Sequence, residues 1–203
     1  MEHYMRRQEA AKRAKYKAYI TQRLEELKSE NEVESLNSKE WAGFRVDAIF
    51  KLTGGKAKGL NHLKQENTGV SYLGATNLNN GIMTFVEKNK NLIHKGNAIA
   101  FIRNGEGSMG YSIYKYEDFI ATPDITVGYS DSLNKYIGLF ITTVADKVRG
   151  KYNFGYKRNL QRLSAEIIQL PVNPNKEPDY EYMEQYMKAL EYKKLKAYLD
   201  WKQ

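Results

Sequence analysis

The sequence of 203 residues contains no cysteine and only four prolines. Without cysteine, the chain can form no disulfide framework, no thiolate zinc site and no cysteine nucleophile. No apolar run approaches the roughly 20 residues that a membrane-spanning helix requires, and the polar N-terminus does not resemble a signal peptide. We therefore expect a cytoplasmic protein with no membrane contact.

Motifs for catalysis are also missing. The sequence has no glycine-rich loop of the kind that binds S-adenosylmethionine, and no Asn/Asp-Pro-Pro-aromatic tetrapeptide. The run Gly105–Gly110 has the spacing of a dinucleotide-binding loop, but the residues after it alternate like a strand, which favours a flexible turn. His3, His62 and His94 show no metal or triad spacing, so we expect them to be solvated surface residues. We predict no catalytic residue, no metal site and no cofactor.

Positive charge is present in excess, and it is unevenly distributed. Lysine and arginine number 32 against 24 aspartates and glutamates, a net charge of +8. Residues 36–178 carry 19 basic and 12 acidic groups, whereas residues 1–35 and 179–203 are nearly balanced. A basic domain is compatible with a polyanionic partner. The central part of the chain is therefore the expected binding part.

The two ends of the chain are predicted to be long helices. Residues 1 to about 30 contain no glycine or proline, and their apolar residues recur at spacings of three and four. Residues 179–203 show the same pattern. An offset of 182 residues, which aligns Met1 with Met183 and Tyr16 with Tyr198, gives seven identities in sixteen positions. We interpret this as an internal repeat.

The central region changes to short strands and glycine or asparagine turns. An apolar stripe on one face predicts one internal helix from Asn134 to Arg149. The fold class is thus α+β, with one globular domain of mixed, twisted strands and short helices. We place this domain at 36–178, after an N-terminal helix over 1–35 and before a C-terminal helix over 179–203, and expect the two helices to pair as a coiled coil. The predicted strands are Val70–Leu73, Ile99–Arg103, Tyr111–Tyr114 and Glu166–Leu170.

The strongest candidate site is the segment 147–162, which holds six basic residues and no acidic one. Aromatic residues alternate with the basic ones around Gly155. Lysine and arginine neutralise phosphates, asparagine and arginine reach base edges, and aromatic rings pack or wedge. A solvated basic loop is the competing interpretation. The candidate DNA contacts in this segment are Lys151, Tyr152, Asn153, Tyr156, Lys157 and Arg158.

A second group of candidates lies on turns elsewhere in the domain. Asparagine amides suit bidentate contact with adenine, although turn chemistry explains these asparagines equally well. Two lysines that follow a glycine turn could hold the DNA backbone. This group comprises Thr76, Asn77, Asn79, Asn80, Arg103, Lys56 and Lys58.

Several segments together resemble the specificity subunits of type I restriction–modification systems. They occur in the right order over roughly residues 40–190. No single segment is diagnostic, but their joint presence is fairly specific. The segments are Trp41–Phe50, Gly69–Ile82, Asn104-Gly105, Lys151–Leu163, Ile168–Val172 and Glu177–Tyr186.

The resemblance implies a non-catalytic subunit that recognises DNA. A subunit of that family has two target recognition domains, each reading one half of a split site, and long helices that form a spacer and dock methyltransferase subunits. This chain has one such domain, so it resembles a half-length subunit that a homodimer would complete, and two-fold symmetry implies a palindromic split site. A piece of a two-domain subunit would show the same pattern.

The implied partners are double-stranded DNA, an adenine methyltransferase subunit that uses S-adenosylmethionine, a restriction subunit recruited through it, and a second copy of the chain. Two other functions stay open at this point. One is a DNA-binding regulator or anti-restriction factor that uses the same fold without a methyltransferase. The other is a helical dimerisation protein with no DNA role.

Overall fold

A computed structural model describes residues 1–28 and 33–201. The chain divides into two compact units, one formed by Met1–Lys39 with Glu181–Gln203 and the other by Glu40–Tyr180. Long helices make up the first unit, and the second contains all the strands of the described chain. The predicted α+β fold class is confirmed.

Five α-helices and ten strands are found in the described residues. The helices are α1 (Glu2–Glu26), α2 (Val46–Ile49), α3 (Lys135–Ala145), α4 (Leu160–Ser164) and α5 (Tyr180–Trp201). The strands are β1 (Trp41–Arg45), β2 (Lys51–Gly54), β3 (Gln65–Leu73), β4 (Ile82–Val86), β5 (Ile93–His94), β6 (Ala98–Ile102), β7 (Ser112–Lys115), β8 (Phe119–Ala121), β9 (Ile125–Tyr129) and β10 (Ile167–Pro171).

Helices α1 and α5 contact each other in antiparallel orientation. The Tyr16 and Tyr198 rings meet edge to face with centroids 5.3 Å apart, and Arg23 Nε lies 3.2 Å from Glu191 Oε1. Residue numbers rise along one helix as they fall along the other, which fixes the antiparallel direction. Helix α1 ends at Glu26, with Leu27 as its C-cap, and residues 33–35 are not helical, so this helix is shorter than the one predicted over 1–35. The predicted end of the second helix at 203 falls outside the described residues.

One contact between the two helices joins residues that are also equivalent in the internal repeat. The repeat aligns Tyr16 with Tyr198, and these two residues are also partners across the helix pair. An antiparallel pair of similar helices has an approximate two-fold axis, and residues that the repeat makes equivalent face each other only at that axis. The Tyr16–Tyr198 contact therefore marks the local two-fold centre of the pair.

The second unit is built on two four-stranded sheets and a separate pair. One sheet has the order β2-β9-β6-β7, the other has the order β4-β3-β8-β5, and β1 pairs with β10. Strands β3 and β8 are parallel, and the other strand pairings of the described chain are antiparallel. Four strands predicted from the sequence are present as β3, β6, β7 and β10.

The core of this unit joins the two sheets. All five residues of β6 are buried, as expected for an apolar run in the interior of a sheet. Side chains from β3 and β8 of one sheet and from β6 and β9 of the other form a single buried cluster. Its members are Leu73, Ala98, Ala100, Phe119, Ala121, Ile125 and Val127.

Helix α3 confirms the predicted internal helix but is shorter than expected. It begins after Asn134, whose side chain accepts hydrogen bonds from the backbone N–H groups of Tyr136 and Ile137 at 2.9 and 3.0 Å, a typical N-cap. The α-helix ends at Ala145 and continues as a 3₁₀ helix over Asp146–Lys151. At this change of geometry, Asp146 Oδ1 accepts a hydrogen bond of 2.8 Å from the Ser112 backbone N–H.

The expectation that all three histidines are solvated is wrong for His94. His3 and His62 are exposed, but His94 belongs to β5, is only 2% exposed, and stacks on Phe119 with centroids 5.5 Å apart. Burial, with a smaller contribution from the positive charge of Lys56, lowers its pKa to about 4. A neutral imidazole therefore packs in this sheet as an aromatic ring.

Candidate nucleic-acid interface

A cleft of about 590 Å³ lies between two polar segments of the second unit. One wall is the turn that joins β6 to β7, and the other is the chain from Arg149 to Lys157, which contains most of the predicted basic segment. The cleft is lined by Asn104, Gly105, Glu106, Gly107, Met109, Tyr111, Arg149, Tyr152, Asn153, Phe154 and Lys157.

The first wall is the turn Gly105–Gly110, and hydrogen bonds fix its shape. The Met109 N–H donates to the Gly105 carbonyl at 3.1 Å, and the Ser108 hydroxyl donates to the Ala75 carbonyl at 2.6 Å. Gly110 has a φ of +92°, and a Cβ at this position would lie 2.7 Å from the Cα atom of Arg149. Glycine thus allows the backbones of the two walls to touch.

This turn is followed by strand β7, as predicted from the sequence, and not by the helix that a dinucleotide site requires. Its contribution to the cleft was missed. From the sequence this run is interpreted only as a flexible turn, and that interpretation does not predict a role for Glu106 or Tyr111 in the site. Nothing in the local sequence connects them to the basic segment about 40 residues later, which they meet only through the tertiary fold.

Buried polar groups hold the two walls together. Arg158 has no exposed surface, and its Nη2 and Nε atoms bind the two carboxylate oxygens of Glu166 at 2.5 and 3.0 Å. Its Nη1 donates to the carbonyls of Gly110 and Tyr111 at 3.0 and 3.3 Å. The bidentate pair and the two carbonyls together join both walls to the start of β10.

The prediction that Arg158 contacts DNA phosphate is therefore corrected. A guanidinium with no exposed surface and partners for all three of its nitrogens cannot reach a phosphate group. Its role is to position the walls of the cleft. Its neighbour in the sequence, Lys157, is exposed. Two adjacent cationic residues are thus one buried and one exposed.

Tyr152 belongs to the same network. Its hydroxyl donates to the Glu166 carboxylate, and its ring stacks on Tyr156 with centroids 6.1 Å apart. Burial raises the pKa of Tyr152, and the hydrogen bond to Glu166 raises it further. The neutral Tyr152 hydroxyl therefore holds the second wall against Glu166, and Tyr152 also lines the cleft.

The cleft is lined by two cations and two amides as well as by aromatic and methionine side chains. Lys157 and Asn153, two of the predicted DNA contacts, are exposed there. Arg149, one of the six basic residues of the segment but not a candidate, lies with its guanidinium carbon 4.7 Å from the centroid of Tyr111. Glu106 is the one carboxylate among the described lining residues. The arrangement can neutralise phosphates and offers amides and one carboxylate for hydrogen bonding.

The predicted asparagine cluster forms a separate exposed turn between β3 and β4. Asn79 and Asn80 have φ values of +49° and +53°, so the turn-forming interpretation accounts for their presence. The Thr76 hydroxyl accepts a hydrogen bond from the Leu78 N–H at 3.2 Å. Asn77 is exposed as well. This turn does not line the cleft, but the bond from Ser108 to Ala75 connects it to the first wall.

The remaining candidates lie outside the described lining of the cleft. The Arg103 guanidinium donates to the Pro123 carbonyl, while the neighbouring Asn104 lines the cleft and donates to Asp124 Oδ1 at 3.0 Å. Lys56 Nζ donates to the Ile93 carbonyl at 3.2 Å. Lys58 and Lys151 are exposed.

The described residues contain neither a metal-binding cluster nor a membrane-spanning helix. Within 1–28 and 33–201, no three histidine, aspartate or glutamate side chains are grouped so as to hold a metal ion. None of the helices in this part of the chain is long and apolar enough to cross a membrane.

Comparison with known proteins assigns the family. Residues 38–198 match the model of the type I restriction modification DNA specificity domain, and the chain belongs to this family. The resemblance identified from the sequence is thus confirmed.

Particular relatives agree with this assignment. The type II restriction enzyme BgcI specificity subunit S.BcgI from Heyndrickxia coagulans is 32% identical over 167 residues, which cover 80% of this chain and 47% of that protein. Among solved structures, the type I restriction–modification S subunit from M. genitalium has a TM-score of 0.57 at 17% identity, over 92% of this chain and 55% of that one. The HsdS subunit from Thermoanaerobacter tengcongensis has a TM-score of 0.53 at 13% identity, over 97% and 50%. The chain spans about half the length of these relatives.

Proposed function

We propose that this chain is a non-catalytic DNA-recognition subunit of a restriction–modification complex, and that its cleft contacts one half of a split DNA site. The observation that carries the proposal is the composition of the cleft, where two cations, two asparagine amides and four aromatic or methionine side chains surround a single opening. Membership of the DNA specificity domain family supports it. Cations that neutralise phosphates supply affinity, and amides that reach base edges supply specificity.

The roles divide according to exposure. Lys157 and Arg149 would bind phosphates, with Lys151 close in the chain. Asn153 and Asn104 would contact base edges. Asn104 donates one of its two amide N–H groups to Asp124, so its carbonyl oxygen and its second N–H are the groups it can offer to a base. The turn Thr76–Asn80 and the lysines at 56 and 58 would extend the contact along the duplex.

The proposal for assembly rests on the single recognition domain that the described chain contains. One recognition domain would read one half-site, so we propose a homodimer that presents two domains. The pair of helices α1 and α5 would serve as a coiled-coil spacer and as the docking surface for an adenine methyltransferase subunit. Exposed apolar residues on these helices could take part in such contacts, among them Tyr4, Met5 and Tyr19. Chemistry on the base would belong to the partner.

The test of the cleft is a pair of opposite charge changes in the full chain. Lys157→Ala should weaken binding to duplex DNA and reduce the slope of log K against log salt by about 1, because one phosphate contact is lost. Glu106→Gln should strengthen non-specific binding at low salt, because a carboxylate that repels phosphates becomes neutral. Fluorescence anisotropy at several salt concentrations measures both effects.

Lys90→Ala is the matched control, since Lys90 is exposed and lies outside the described lining of the cleft. It should leave the salt slope close to that of the wild type. If Lys157→Ala and Lys90→Ala have the same slope, the cleft is not the DNA-binding surface.

A further inference from the structure

Phe154 has an unusual position for a phenylalanine. Its exposed fraction is 91%, the highest of any aromatic residue in the described chain. Removing an apolar side chain of this size from water is favourable. A partner that covers the Phe154 ring at the cleft would therefore gain binding free energy.

The backbone holds Phe154 at the tip of a tight turn. Asn153 and Tyr156 pair through backbone hydrogen bonds of 3.3 and 3.0 Å, and the Asn153 side chain accepts a further bond of 2.9 Å from the Gly155 N–H. Below the tip, Tyr156 is covered by the Arg162 guanidinium at 3.8 Å. The turn is thus fixed from both sides, and the ring at its tip is held outward.

The surroundings of this ring indicate the chemistry of the partner. Lys157 Nζ lies 5.8 Å from the centroid of the Phe154 ring, and Arg149 and Lys157 line the same cleft as Phe154. A partner that fits must carry negative charge and present apolar faces beside it. Duplex DNA has both, since phosphates lie at the edge of a stack of flat, apolar bases.

We propose that Phe154 inserts between two base pairs of the bound DNA and partly unstacks them, while Lys157 and Arg149 hold the flanking phosphates. Apolar wedges of this kind open a base step and kink the duplex. The inference rests on the proposed DNA-binding function. It adds a way in which the protein could discriminate between DNA sequences. Pyrimidine–purine steps open most easily, so the wedge would favour such a step at a position where no side chain hydrogen-bonds to a base.

The experiment uses the full-length chain and a duplex selected by it from a random pool. Fluorescent analogues that brighten on unstacking replace one base at a time, 2-aminopurine for adenine and pyrrolo-cytosine for cytosine, so that every base pair is sampled. With saturating wild-type protein, we expect a several-fold rise at one or two adjacent pairs. Phe154→Ala should abolish this rise while changing Kd by less than about tenfold, because the unstacking cost and the added contact offset each other.

Two further variants separate insertion from other effects. Phe154→Leu keeps an apolar wedge and should retain most of the fluorescence rise. Tyr116→Ala removes a ring that is 75% exposed and lies outside the described lining of the cleft, and it should leave fluorescence and affinity unchanged.

The possible failures are distinguishable. If the wild type binds the duplex but no position brightens, or if Phe154→Ala brightens the same position, the wedge is wrong and the proposed function stands. If the wild type selects and binds no duplex DNA, the proposed function fails and the wedge fails with it.

Discussion

At the scale of single residues, the cleft depends on a buried ion pair between Arg158 and Glu166. The two side chains are 0% and 2% exposed, and the arginine also satisfies two backbone carbonyls. Removing one member of such a pair leaves an uncompensated charge in the interior. Arg158→Ala should therefore lower the free energy of unfolding by about 3–5 kcal/mol, as measured by urea denaturation.

The exposed neighbour supplies the control for this prediction. Lys157→Ala should change the stability by less than about 0.5 kcal/mol, as is usual at the surface. The double variant Arg158→Met with Glu166→Leu should recover much of the loss, because two apolar groups need no compensation. Equal losses for Arg158→Ala and Lys157→Ala would mean that Arg158 is not buried.

The burial of His94 leads to a separate prediction about how the stability of the fold depends on pH. Its pKa in the folded chain is about 4, below the value near 6.5 of an unperturbed histidine. Between these two values the unfolded chain binds more protons than the folded chain, so stability rises with pH. The contribution is complete above about pH 6.5 and is lost as the pH falls toward 4, by an amount on the order of 1–3 kcal/mol.

The variant that tests this is His94→Phe, which keeps an aromatic ring beside Phe119 but cannot be protonated. Urea denaturation at pH 4.5 and 7 should show a smaller difference in stability for the variant than for the wild type. His62→Phe, at an exposed position, should show the full wild-type difference. An unchanged difference in His94→Phe would contradict the assignment.

Single residues also show where sequence reasoning stops. Lys157 and Asn153 line the cleft, and both belong to the segment that composition alone marks as a candidate binding segment. Arg158 belongs to the same run, and nothing local distinguishes it from Lys157. Its burial depends on Glu166, eight residues away, and on the carbonyl groups of residues 110 and 111. The local sequence pattern does not predict such tertiary contacts.

At the scale of elements, predictability follows the strength of the periodic signal. Helices α1 and α5 and the apolar strand β6 were recognised because their patterns are long or continuous. Strand β5 has two residues and carries no usable pattern, which is why His94 was assigned to the surface. The 3₁₀ turn after α3 was also missed, since the hydrogen bond from Ser112 to Asp146 is a tertiary contact.

The helix pair allows a test at this scale. The edge-to-face contact of Tyr16 with Tyr198 should give a coupling energy of about 0.5–1.5 kcal/mol. A double-mutant cycle with Tyr16→Ala and Tyr198→Ala measures this energy. Thermal unfolding of each variant is monitored by the far-UV circular dichroism of the helices. Tyr4 and Tyr192 provide the control cycle, since they lie far apart along an antiparallel pair with this register. Additive losses in the first cycle would show that the two rings do not meet.

At the scale of the whole molecule, the chain spans about half the length of its relatives, and we propose that a second copy completes it. Light scattering after size-exclusion chromatography should give twice the mass of the chain. Co-expression with the adenine methyltransferase subunit that we propose as the partner, followed by genome-wide mapping of methylated adenine, should give a split and palindromic motif. A split motif with two different halves would show that the second recognition domain comes from another sequence.

The ion pair beneath the cleft bears on how such a protein could acquire a new target. Arg158 holds the first wall through the carbonyl groups of Gly110 and Tyr111, which every residue type possesses, and not through their side chains. The side chains of Glu106 and Phe154, which line the cleft, can therefore vary without disturbing the frame that supports them. A library randomised at these two positions alone should remain folded and yield variants that prefer different DNA sequences, so the architecture separates the evolution of target choice from the maintenance of the fold.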